Sequence, residues 1–126
     1  MAKNKFELKI DQDDIYLDLV FEVDDEKFTE EVATEINSFW SNEKRRVAEC
    51  GGSVVKAALK LYAAECFSLA AFNNFKNEQW VMDQFDWSKD KGVEGFPSFQ
   101  EAGIVLKKNR QLADRFRHHR VRIGCQ

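Results

Sequence analysis

Apolar and polar residues alternate twice near the start of the chain. In residues 5–10, Phe6, Leu8 and Ile10 fall on one side and Glu7 and Lys9 on the other. That two-residue period is the mark of a half-buried strand. Residues 15–23 repeat it, with Ile15, Leu17, Leu19, Phe21 and Val23 on one face and Tyr16, Asp18, Val20 and Glu22 on the other. The stretch between them, Asp11-Gln12-Asp13-Asp14, has turn composition, so the two runs predict a β-hairpin. The period then lengthens. Phe28, Val32, Ile36 and Phe39 or Trp40 predict a helix over residues 29–41, with Glu30 and Glu31 at its electropositive end. Ser41-Asn42 breaks it, a shorter helix follows over residues 43–50, and Gly51-Gly52 stops that one.

Residues 53–72 are the centre of the pattern. Only Lys56, Lys60, Glu65 and two serines interrupt a run that includes Val54, Val55, Ala58, Leu59, Leu61, Tyr62, Cys66, Phe67, Leu69 and Phe72. Ala, Leu and Lys favour helix, and Ser53 can cap its N-terminus. A helix apolar over most of its circumference must be covered on more than one side. A membrane span would place three charges in hydrocarbon, so a buried helix is the better reading.

Beyond it the pattern weakens. Trp80, Val81 and Gln84 fit a short helix within residues 73–91, and residues 89–97 form a loop around Gly92, Gly95 and the sole proline, Pro97. Residues 103–108 read as a strand and residues 111–114 as a turn or one helical turn. Residues 115–123 read as a second strand, with Val121, Ile123 and Cys125 on one side and Arg120 and Arg122 on the other. The order ββ-ααα-ββ predicts a single α+β domain over residues 1–126. Two hairpins would form an antiparallel sheet of about four strands, covered on one face by the long central helix and the shorter ones.

Composition adds constraints. With 126 residues, 44% of them hydrophobic, the chain has the size of one domain and enough apolar surface for a core. The start of the chain lacks the apolar run of a signal peptide, and Cys50, Cys66 and Cys125 are an odd number without CxxC spacing. Both features predict reduced thiols in a cytoplasmic protein. Charge is unevenly spread: residues 1–50 carry 7 Lys/Arg against 14 Asp/Glu, a net of −7, whereas residues 107–126 carry 7 against 1, a net of +6.

Several short motifs recur in a known group. Phe85-Asp86-Trp87, then Glu94-Gly95-Phe96-Pro97 and Gly103-Ile104, together with Phe39-Trp40-Ser41 ahead of an Ala/Leu-rich helix, resemble a family of small bacterial and prophage-encoded proteins of unknown function. The resemblance covers about two thirds of the chain and departs at the unusually basic segment from Arg115 to Arg122. It implies a fold and a mobile-element setting, in which small proteins often act by binding host or competing machinery, and so makes the chain an inhibitor candidate. It implies no activity.

Four groups of residues are candidates for function. The basic end (Lys107, Lys108, Arg110, Arg115, Arg117, Arg120 and Arg122) could contact phosphates or a protein partner. Its plainer role is cross-strand pairing, with Arg120 and Arg122 opposite Asp18 and Glu22. The acidic half, including Asp18 and Glu22, is a solvated face or a mimic of nucleic-acid phosphate. The aromatic residues Trp80, Trp87 and Phe96, with Phe72, Phe75, Phe85 and Phe99, either plug the core or rim a partner site, and Trp80 and Trp87 stand in the most polar surroundings. Finally, His118 and His119 would point to opposite faces of a strand and so cannot share a metal with Cys125. Glu65, alone in an apolar stretch, belongs at the edge of its helix.

The chain contains no P-loop, GxGxxG, GxSxG or HExxH signature. The sequence therefore predicts a non-enzymatic interaction protein with no cofactor, no metal and no membrane association. Its partner would be another protein or a second copy, with nucleic-acid binding through the basic C-terminal strand as the alternative.

Overall fold

The computed structural model describes residues 3–12, 15–71, 73 and 77–111. Strands β1 (Lys3–Gln12) and β2 (Ile15–Asp24) form the predicted hairpin in the register Leu8↔Leu19 and Glu7↔Val20. Helices α1 (Glu30–Phe39), α2 (Glu43–Glu49), α3 (Val54–Ala71), α4 (Glu78–Asp83) and α5 (Phe99–Ala102) follow, with a single 3-10 turn at Trp87–Lys89. Strand β3 (Ile104–Gln111) then returns to pair antiparallel with β2, which makes β2 the centre of a three-stranded sheet of order β1-β2-β3.

The α+β class is as the pattern predicts. The strand count is not: the described sheet has three strands, because the chain comes back from the helices directly onto β2. The fourth expected strand, over residues 115–123, lies outside the described residues. β3 also runs through Gln111, where a turn was expected to begin.

Alternation decides which face of the sheet is dry. Leu8 and Ile10 of β1, Leu17, Leu19, Phe21 and Val23 of β2, and Ile104 and Leu106 of β3 are all buried in one cluster with the helices. Helix α3 packs against α1, α2, α4 and the β1–β2 hairpin, as a helix apolar all round must. None of its residues is exposed, and the polar strip of Lys56 and Lys60 is half-buried. Ser53 caps the helix by accepting from the Lys56 backbone N–H at 3.1 Å. Glu65 is half-buried on its flank.

Helix α5 was missed from the pattern. Its signal is Ser98-x-x-Glu101, a capping box in which Ser98 Oγ accepts from the Glu101 N–H and the Glu101 carboxylate accepts from the Ser98 N–H. Among the described cysteines Cys66 is a free, buried thiol, as expected, but Cys50 is disulfide-bonded. Cys125 lies outside the described residues.

Candidate interaction surfaces

Two surfaces hold the residues that the pattern singled out. The first is built on Tyr62, in the middle of α3. Its ring meets those of Phe85, Phe96 and Phe99 with centroids 5.5, 4.7 and 5.2 Å away, and Phe28 lies at 6.4 Å. Burial pushes the Tyr62 phenol far above its ordinary range, so its hydroxyl is a permanent donor, and it donates to the Pro97 carbonyl at 2.8 Å. The indole Nε1–H of Trp87 donates to the Phe96 carbonyl at 2.9 Å, and the Gly92 N–H donates to the Gln84 carbonyl at 2.9 Å. These three bonds hold the loop of residues 92–97 against the core.

Two rings flank that loop. The Trp87 ring lies flat against Gly92, where a Cβ would sit 2.4 Å from the indole, and the Phe39 ring lies against Gly95, where a Cβ would sit 2.5 Å away. Both glycines have positive φ. Two residues separate them, so the backbone positions under the two rings are at most about 11 Å apart. Phe39 is 52% exposed and Trp87 51%, and they are two of the three large apolar side chains that the described surface leaves open, the third being Val105. Trp40 sits beneath, 5.1 Å from Phe39 and 5.7 Å from Phe96, and its buried indole N–H has no acceptor.

The geometry sorts the predicted aromatic residues. Trp87 is exposed, as expected. Trp80 is half-buried against the core, because the short α4 turns it inward. Phe96 is 4% exposed and cannot meet a partner, since Tyr62, Trp40 and Phe85 enclose it. Of Phe39 and Trp40, the two residues that could continue the apolar spacing of α1, Trp40 packs against the core and Phe39 is exposed, because α1 ends at Phe39 and the chain turns away through an extended Trp40. Phe72 and Phe75 lie outside the described residues.

The second surface is the outer face of the sheet. Here the acidic central strand, with Asp18 and Glu22, runs between lysine-bearing neighbours. Asp18 faces Lys9 across β1 and Arg110 across β3 in the register, and Glu22 faces Lys5 and Val105. A β-bulge lies between Val20↔Lys108 and Phe21↔Leu106, so Lys107 is the extra residue. Plain alternation from Ile104 would turn Lys108 into the core. The bulge re-phases the strand, and Lys108 Nζ instead reaches Asp18 Oδ2 at 3.2 Å.

The described partners of the acidic strand are β1 and β3, and the predicted pairing with Arg120 and Arg122 lies outside the described residues. Asp18 is 3% exposed, so it is not available for docking. Glu22 is half-buried, Lys107 is exposed, and Lys108 is engaged by Asp18. Arg115, Arg117, Arg120, Arg122, His118 and His119 lie outside the described residues. Among the described residues no cluster of His, Cys, Asp or Glu could hold a metal ion, and no helix is long and apolar enough to cross a membrane.

Comparison with known proteins agrees with the motif resemblance. The chain is 37% identical over 76 residues to "Protein ea10" of Escherichia phage lambda and, to the same extent, to "Lambda prophage-derived protein ea10" of Escherichia coli O6:H1. Each match covers 60% of this chain and 61% of the relative, so it spans less than two thirds of the relatives' length. No solved structure matches. The family described as "Protein of unknown function (DUF2528)" matches residues 18–114, from the middle of β2 to just past β3, and the chain belongs to that family.

Proposed function

We propose that this protein is a non-enzymatic interaction module that binds a protein partner through the surface formed by Phe39, the residue 92–97 loop and Trp87. The observation that carries this reading is the pair of half-exposed rings held at the two ends of one pinned loop. Aromatic side chains on a rigid base supply contact area at little entropic cost, which is why they recur at binding hot spots. The motifs by which the chain resembles prophage-encoded proteins, Phe39-Trp40-Ser41, Phe85-Asp86-Trp87 and Glu94-Gly95-Phe96-Pro97, supply the residues of this surface, and a partner in the host cell, whose action the protein would inhibit, fits the phage setting of the relatives. The basic C-terminal end is a weaker candidate for phosphate contact, because Lys108 is already paired with Asp18.

The test is affinity capture from host lysate with the intact chain and with Phe39→Ser, circular dichroism confirming that both fold. A partner retained by the native chain and by Lys107→Glu, but lost with Phe39→Ser, supports the proposal. Capture that is insensitive to Phe39, or turnover on a general hydrolase panel, overturns it.

A further inference from the structure

The outer face of the sheet carries two carboxyl groups that are one hydrogen short. Asp18 lies on the central strand and is almost fully buried. Lys108 engages its Oδ2 at 3.2 Å, whereas Oδ1 is buried without a donor. Glu7 on β1 stands opposite Val20 and therefore diagonal to Asp18 on the same face. The other charged positions facing the pair are Lys5 and Lys9 on β1, Glu22 on β2, and Lys108 and Arg110 on β3.

If both carboxyls were ionised they would repel each other, and Oδ1 would lack a hydrogen bond in a buried position, which is costly. A proton on Glu7 removes both problems, because its O–H then donates to Asp18. We propose that Glu7 holds a proton and donates it in a hydrogen bond to Asp18 across the β1–β2 pair, which makes the outer face of the sheet a proton-responsive latch on β1. The electrostatics agree. The Glu7 carboxyl is held above its ordinary value of 4.5, first by the hydrogen bond to Asp18, then by desolvation and by the charge of Asp18, while Lys9 and Lys108 pull the other way.

The sign follows from linkage. A carboxyl that binds its proton more tightly in the folded state contributes stability that is complete below its ordinary range and is lost as pH rises through its folded value. The native fold should therefore weaken with rising pH relative to Glu7→Gln, which keeps a neutral donor at every pH.

Carboxyl-carbon NMR titration of the full chain, beside urea unfolding of the native chain and Glu7→Gln from about pH 4 to about pH 8, tests this. Glu7 should titrate above the other exposed glutamates, and that displacement should vanish in Asp18→Asn. Across the Glu7 titration the unfolding constant of the native chain should rise over that of Glu7→Gln by up to about tenfold per pH unit, the limit for one proton. Should Asp18→Asn fail to fold, the comparison with Glu7→Gln decides. A Glu7 that titrates with the other glutamates, or parallel pH profiles for the two chains, overturns the proposal.

Discussion

Arg46 of α2 donates from Nε to the side-chain oxygen of Asn37 in α1 at 2.6 Å. The same guanidinium reaches the carbonyls of Ser41, Asn37 and Trp40 at 2.9, 2.9 and 3.4 Å. It thus satisfies one carbonyl in the last turn of α1 and two just beyond it, where a helix end leaves acceptors without partners. Asn37 is buried and completes the joint by donating to the Glu43 carbonyl at 3.1 Å. This joint positions Phe39, which lies between the clamped residues. Arg46→Ala should lower stability by about 1–3 kcal/mol, read from the urea midpoint. Arg46→Lys should restore little of that loss, because one ammonium cannot reproduce the planar fork.

Gly92 and Gly95 should resist substitution for two separate reasons. Each has a positive φ, and each lies under an aromatic ring that a Cβ would strike. Gly92→Ala should destabilise by about 1–3 kcal/mol and shift the Trp87 fluorescence as the indole is lifted. An unchanged emission spectrum with native stability would show that Trp87 does not lie on Gly92.

Lys107 and Lys108 are neighbours with opposite expected costs. Replacing Lys108 with Ala leaves Asp18 buried without its partner and should cost about 2 kcal/mol, whereas Lys107→Ala at an exposed position should cost less than about 0.5 kcal/mol. Thermal unfolding of the two variants at neutral pH tests the bulge directly. Equal costs would mean that the strand is not re-phased.

Tyr62→Phe keeps the ring in the aromatic cluster and removes only the hydroxyl that donates to Pro97. The Pro97 carbonyl loses its donor, so a loss of about 0.5–1.5 kcal/mol is expected in urea unfolding. Cys66 should be inert to thiol reagents in the folded protein, since it is fully buried and desolvation raises its thiol well above the ordinary range. Reaction with an aromatic disulfide reagent should proceed only after denaturant is added.

Much of the fold is legible in residue order because its signals are local. Alternation in Phe6-Leu8-Ile10 and Leu17-Leu19-Phe21-Val23 sets the faces of the first two strands. The unbroken apolar run after Ser53 specifies a helix that must be enclosed. The surface formed by Phe39 and Trp87 is only half legible. Trp87 stands out by its polar surroundings, but spacing alone leaves Phe39 and Trp40 as equal continuations of Val32 and Ile36, and the break at Ser41-Asn42 does not say which of the two rings turns outward.

Period and composition therefore determined the first two strands, the first three helices, the α+β class and the absence of familiar catalytic motifs, since each depends on residues within a turn or two of one another. Three further features came from contacts between distant segments: the return of β3 onto β2, the bulge that turns Lys108 toward Asp18, and the enclosure of Phe96 with Phe39 and Trp87 left open. Side-chain period within a strand is blind to an inserted residue, and exposure depends on what the rest of the chain brings alongside. Folding in three dimensions settles both.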